Sequence, residues 1–388
     1  MDFSILKSPD LSQIETFHVR NKTILSNERV FSIDALRGFD MFWIMGGNMI
    51  FRELDIVFDN KISTFVRLQM SHTAWLGFNF YDIIMPLFLF IVGASMVYSF
   101  RKRLSSGDTD NTLWKHTIKR IIILWILGMA VQGNLLSYDI SKIKLYSNTL
   151  QAIAVAYLLA TVFILYLPVI YQIIGTIGLL MGYWAIVALV PIFNNSLDAY
   201  SMYTNVPNFF DQYVLGRFDD GLEYSWIISS LNFAATTMLG VFCGYMMQSN
   251  TNKSKKLSYF LLFGLSLIYI SLVLDHWHPI IKKIWTSSFV LFSGGICVLL
   301  LALFYLLIDI LKIRRGTKWM MIIGSNAIFG YVTWQLFNKS FLYAGEVIII
   351  GLKPYIGNWY NSLNNLSGFL VIYFIMYYMY KGNFFIKI

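Results

Sequence analysis

Residues 80–100 read Phe80-Tyr81-Asp82-Ile83-Ile84-Met85-Pro86-Leu87-Phe88-Leu89-Phe90-Ile91-Val92-Gly93-Ala94-Ser95-Met96-Val97-Tyr98-Ser99-Phe100, with no charge between Asp82 and the basic Arg101-Lys102-Arg103 that follows. An apolar run of this length is near the ~20 residues a helix needs to cross ~30 Å of hydrocarbon. Comparable runs lie near 36–51, 118–135, 149–167, 169–193, 227–247, 257–274, 285–311, 319–338 and 364–381. The expected fold is therefore an all-α polytopic membrane helix bundle of about ten transmembrane helices. A shorter apolar stretch, 341–352, contains Gly345, Glu346 and Gly351; it reads as re-entrant or interfacial, and counting it as a span would make eleven.

Composition agrees with lipid as the main solvent. The 388 residues are 57% hydrophobic and only 13% charged, about half the charge of an ordinary soluble domain. Aromatic residues make up 17%, as expected where amphipathic rings gather at the headgroup level and fill helix interfaces. The net charge of +9 is spread in short clusters between apolar runs, which argues for topology and against nucleic acid as partner. Placing the amino terminus in the cytoplasm puts Arg20, Lys22, Arg29 and Arg37 inside, together with Arg101–Arg103, Lys119–Arg120, Lys253–Lys256, Lys312–Lys318 and the tail. Both termini are then cytoplasmic, and an eleventh span would break that pattern. Residues 1–30 carry no signature of a cleavable signal peptide and are expected to form a cytoplasmic segment before one membrane domain, 31–388. Cys243 and Cys297 lie inside apolar runs and read as small core residues.

Polar residues at membrane depth are costly and are the first place to look for chemistry, with packing between helices as the ordinary alternative. Asp34 and Arg37, three apart on one helical face, form either an interfacial ion pair or, through Arg37, an anion site for phosphate or carboxylate. Asn48 lies toward the other end of the same span, beside Gly46 and Gly47, which permit close approach. His72 falls in the loop opposite the basic clusters, and its ordinary pKa near ~6.5 suits a general base. Asp82, just inside the next span, needs a partner, and His72 is one candidate; the carboxylate would then orient the ring. Pro86 is expected to kink that span. Gln151, Trp285, Ser287 and Asn326 recur at the ends of spans or inside them, where they either tie helices together or line the polar wall of one pocket. His276-Trp277-His278 without nearby carboxylates or cysteines gives no basis for naming a metal.

Taken in order, Ser32-Ile33-Asp34-Ala35-Leu36-Arg37-Gly38, His72-Thr73-Ala74-Trp75, Asp82-x-x-x-Pro86-x-Phe88, Tyr146-Ser147-Asn148-Thr149-Leu150-Gln151, Leu215-Gly216-Arg217-Phe218, Thr236-Thr237-Met238-Leu239-Gly240, Lys283-Ile284-Trp285-Thr286-Ser287-Ser288-Phe289 and Gly324-Ser325-Asn326-Ala327 resemble blocks of the heparan-α-glucosaminide N-acetyltransferase family, most closely its bacterial branch. The resemblance implies a membrane acyltransferase that moves acetyl from cytoplasmic acetyl-CoA to the amine of a glucosamine-type sugar on the far side. The family's active-site histidine falls on His72, its asparagine on Asn48 and its membrane aspartate on Asp82. The CoA phosphates would lie by Arg37, with Asp34 beside it, and by Arg101, Arg103 and Arg120. Trp75, Gln151, Trp285, Ser287 and Asn326 would face the acceptor. A bacterial inner membrane with His72 on the periplasmic side, no metal, and a homodimer as a further expectation complete the reading. A transporter of amino sugars is the alternative that ten apolar spans with buried polar groups also fit.

Overall fold

The computed structural model describes residues 31–194, 196–221 and 224–386; the expected amino-terminal segment, 1–30, lies outside them. Helices occupy all ten apolar runs, and strands are absent among the described residues. The helices are α1 (Phe31–Phe42), α2 (Asn48–Arg52), α3 (Leu54–Phe58), α4 (Lys61–Gln69), α5 (Ile84–Ser105), α6 (Asp110–Val131), α7 (Thr149–Tyr166), α8 (Val169–Phe193), α9 (Val206–Leu215), α10 (Ser229–Gln248), α11 (Lys253–Leu274), α12 (Ser287–Phe304), α13 (Lys318–Ser325), α14 (Ala327–Ile349), α15 (Lys353–Ile356) and α16 (Tyr360–Lys381). Five segments are long and apolar enough to cross a membrane: Phe80–Ser105, Thr149–Tyr166, Val169–Pro191, Lys253–Leu274 and Ser287–Ile310.

Helix starts follow local capping chemistry. Asn148 accepts from the Leu150 N–H at 2.8 Å to open α7, and Thr286 accepts from Phe289 at 3.3 Å to open α12, satisfying amides that have no partner within the helix. Pro86 sits in the first turn of α5, where a missing N–H is no loss, so it starts the helix and does not kink it. The 341–352 stretch continues α14 as far as Ile349, beyond a bend at Phe337 (φ −127°, ψ 17°), and then forms a short 3-10 turn, Ile350–Leu352.

Four helix pairs carry the packing: α5 with α10, α11 with α12, α14 with α16 and α1 with α13. Each is a reciprocal glycine contact. A methyl group at Gly93 would strike the Thr237 carbonyl and one at Gly240 the Phe90 carbonyl; Gly264 and Gly295 face one another, Gly345 faces the Gly368 backbone and Gly368 faces Leu342, and Gly38 and Gly324 face the backbone of Met320 and Asp34. Lipid gives apolar side chains little reason to leave it, so close backbone approach through small residues does the work that water exclusion does elsewhere.

The helix begun by α1 breaks where the site needs it. Gly46 has φ +94°, a conformation open to glycine and strained for other residues, and its absent Cβ would lie 2.5 Å from the Trp334 ring. Gly46→Ala is therefore expected to destabilise the protein by about 1–3 kcal/mol, seen as a lower Tm in detergent. Gly178→Ala, inside α8 where nothing stands within 4 Å, should instead stabilise by about 0.5–1 kcal/mol, the advantage of alanine over glycine within a helix.

The two ends of the bundle differ in charge. At one end Arg101 donates to Gln248 at 3.1 Å, Lys253 to the Asp309 carbonyl at 3.1 Å, and Arg314 stacks 4.3 Å over Phe31. At the other end the 70–79 loop meets the 275–286 loop: Leu76 bridges Ile281, and the Gly77 N–H donates to the Ile280 carbonyl at 2.9 Å. The Trp75 indole donates to the Tyr200 carbonyl at 2.9 Å, which ties in the segment before α9.

Candidate active site

Asp82 lies in a short 3-10 turn, Phe80–Ile83, that leads into α5, and its carboxylate is fully buried. Its Oδ2 accepts from the backbone N–H of Asn79 at 3.0 Å, from the Thr73 hydroxyl at 3.0 Å and from the Thr73 N–H at 3.3 Å. Its Oδ1 lies 2.8 Å from His72 Nδ1 and accepts from Lys282 Nζ at 3.1 Å. The Lys282 amine is also 2.8 Å from His72 Nδ1. Carboxylate, imidazole and amine thus form a triangle, with every edge at hydrogen-bond length. The burial is uneven: the His72 side chain is 42% exposed, that of Lys282 5%. The imidazole is therefore the member that solvent or a substrate can reach.

The surroundings hold this geometry. Tyr81 packs against the His72 ring, centroids 4.7 Å apart. Asn79 donates to the Ser71 carbonyl at 3.1 Å, and Gln69 accepts from the Phe80 N–H at 2.9 Å, so side chains on both sides of His72 fix its loop. Asn48 is buried and donates to the Met70 carbonyl at 3.4 Å, two residues from His72.

Lys282 adjoins the Lys283–Phe289 block but is not among the site residues that the sequence singles out. A signal existed: paired lysines in a loop assigned to the side opposite the basic clusters run against the charge bias, and a lysine in such a place needs an anion. Burial pushes its pKa down to about 8, against the pull of Asp82.

The other expected site residues are distributed differently. Arg37 pairs with Asp34 at 3.3 Å and donates to Ser95 at 2.6 Å. Arg101 reaches Gln248, Arg103 lies 3.6 Å from Asp108, and Arg120 stacks 4.5 Å over the Tyr157 ring. Arg101 and Arg103 lie near the end of α5, whereas Arg37 and Arg120 lie within α1 and α6. Gln151 donates to the Leu145 carbonyl at 2.6 Å and accepts from the Ser147 N–H at 2.9 Å. The Trp285 indole donates to Thr236 at 3.2 Å, and the Ser287 hydroxyl donates to the Leu180 carbonyl at 2.8 Å. Asn326 holds the tail, donating to the Phe384 carbonyl at 3.1 Å and accepting from the Ile386 N–H at 2.9 Å. The bonds of these four are ties within and between elements, one of the two readings their positions allowed. Trp75 is half-buried and shares the loop of His72.

His278 has a structural part. Its Nε2 accepts from the Ser287 N–H at 2.9 Å, so its Nδ1 carries the proton toward the Tyr200 hydroxyl, 2.8 Å away. Burial drives its pKa to about 3, so the ring stays neutral at ordinary pH. Among the described residues no group of three His, Cys, Asp or Glu side chains is placed to hold a metal ion.

Among the described residues the protein is all-helical, with five apolar helices of membrane length and a half-exposed imidazole backed by a buried carboxylate. The chain belongs to a family of membrane acetyltransferases: the model for heparan-alpha-glucosaminide N-acetyltransferase, catalytic, matches residues 29–269. Asn48, His72 and Asp82 lie within the matched segment; Lys282 lies beyond it. No curated protein matches the chain.

Proposed function

We propose that the protein transfers an acetyl group from cytoplasmic acetyl-CoA to the amine of a glucosamine-type sugar on the opposite side of the membrane, in a bacterial inner membrane. The observation that carries this reading is the contact of His72 Nδ1 with buried Asp82, 2.8 Å, in a chain of this family. An attacking amine must shed a proton to become an amide. With Nδ1–H held by Asp82, Nε2 keeps its lone pair and takes that proton, and the carboxylate stabilises the imidazolium so formed. Asn48, on the backbone two residues from His72, would donate to the oxyanion of the thioester carbonyl. Arg37 with Asp34, and Arg101, Arg103 and Arg120, are the groups proposed to meet the CoA phosphates from the basic end. The acyl arm would then run along the bundle to His72. Trp75, beside His72, is the proposed acceptor contact best supported by its place; Gln151, Trp285, Ser287 and Asn326 would act on the acceptor only by shaping the walls around it.

The test is CoA release by purified protein given acetyl-CoA and a panel of amino sugars. Turnover that needs both substrates supports the proposal. Absence of CoA release with every amine, or CoA-independent sugar uptake into vesicles, would overturn it. Rapid mixing with acetyl-CoA alone separates direct transfer from an acetyl-His72 route, since only the latter releases CoA in proportion to enzyme.

A further inference from the structure

The position of Lys282 raises a problem that the His72–Asp82 pair alone does not. A lysine ammonium is only a donor. If charged Lys282 donates to His72 Nδ1, across the 2.8 Å that separates them, the ring proton must sit on Nε2, and an Nε2–H cannot accept a proton from a substrate. If instead Nδ1 carries the proton and gives it to Asp82 at 2.8 Å, Nε2 is a base, and Lys282 must face Nδ1 as a neutral amine. The charge on Lys282 and the working form of His72 exclude one another.

Resting on the acetyl-transfer reading, we propose that Lys282 is the proton-relay partner of His72, taking the Nδ1 proton when Nε2 accepts one from the attacking amine and returning it when Nε2 protonates the departing thiolate. The steps balance. The acceptor nitrogen bonds to the acetyl carbonyl carbon, and the proton on that nitrogen goes to Nε2. The Nδ1 proton crosses to the Lys282 amine, which becomes an ammonium paired with Asp82 at 3.1 Å. The ring is then neutral with its proton on Nε2. The carbon–sulfur bond of the thioester breaks, and the thiolate takes the Nε2 proton while Nδ1 recovers its own from Lys282. One proton has moved from amine to thiol, and the triangle is as it began. Without the relay, His72 would stay an imidazolium beside Asp82 while the bond to sulfur breaks.

Burial supports the relay, because it holds Lys282 at about 8, where amine and ammonium are both accessible near neutral pH. The charged and titratable groups around it are Asp82 and His72 across the triangle, Lys283 beside it, and Asp275 and His278 in its own loop. Asp275 accepts from the Ile280 N–H at 2.8 Å, and His278 is neutral. Behind His72 stands Tyr81, which feels Asp40 and Arg52.

Lys282 acts through His72 and is a positioning residue, so the test reads its charge rather than activity alone. A purely structural ion pair predicts that Lys282→Arg, which keeps the charge, retains activity and that Lys282→Met loses it. The relay predicts the reverse order. Arginine never gives up its proton near neutral pH, fixes the Nε2–H form, and should be at least about 10-fold slower than methionine. The wild-type to Lys282→Met rate ratio, in which the acceptor's own ionisation cancels, should rise with pH through about 8. A flat ratio, or Lys282→Arg near wild type, would overturn the relay. The 15N signals of His72 in the resting wild-type protein give a readout independent of turnover and of whether the variants fold. They should pass from the Nε2–H to the Nδ1–H form as pH rises through the same region, and a single form throughout would also overturn it. If wild type shows this switch but releases no CoA with any amine, the transferase reading fails while the coupling of Lys282 to His72 stands.

Discussion

His72→Ala is expected to lower acetyl transfer by about 10²- to 10⁴-fold, the usual worth of a positioned acid–base group, with little change in protein level. The second half of that expectation follows from the triangle. Removing the imidazole leaves Asp82 and Lys282 facing each other at 3.1 Å, and Asp82 Oδ2 keeps its bonds to Thr73 and Asn79. No buried charge is orphaned, and the 42% exposed ring leaves a hollow that water can fill. Steady-state rates and a thermal melt in detergent measure the two halves separately. Turnover within a few-fold of wild type would remove His72 from the chemistry.

Asp82→Ala should do the opposite kind of damage. It removes the anion beside Lys282, 4% exposed, and the acceptor of the Thr73 and Asn79 bonds. Breaking one side of a buried ion pair typically costs about 3–5 kcal/mol. The loss should depend on pH with a definite sign. Without Asp82 nothing opposes the burial that already lowers Lys282 to about 8, so its folded pKa falls further below the unfolded value of about 10.4. The unfolded chain then binds the proton that the folded one rejects, and stability rises with pH. Asp82→Ala should therefore be most destabilised relative to wild type in mild acid, with the gap narrowing as pH climbs toward about 8. Melting curves across that range check it; a pH-independent loss would mean that Asp82 does not set the charge of Lys282.

What the sequence revealed, and what it hid, divides along one physical line. Apolar length is a local property, so the helices over the ten runs were legible, as was the short reach from His72 to Asp82, whose sequence separation is only 10. Local pattern also misled where backbone detail decides: Pro86 stands in a first turn and starts α5 without kinking it. Partners far along the chain were illegible. Nothing near Lys282 announces Asp82, 200 positions earlier. Nor does anything near Ser287 announce Leu180, or near Asn326 the tail at Phe384 and Ile386.

The joining of the 70–79 loop to the 275–286 loop also sets an order in time. The ribosome delivers roughly 5–20 residues per second, so Asp82 emerges about 10–40 s before Lys282, which lies 200 residues later. During that interval the carboxylate has no lysine to face, and a buried anion without a counter-charge resists leaving water. The early helices therefore cannot seal around Asp82 until α11 and α12 have arrived and Leu76 has found Ile281. The His72–Asp82–Lys282 triangle is therefore expected to close late in biogenesis, and a chain released before its second half is made lacks one of its corners.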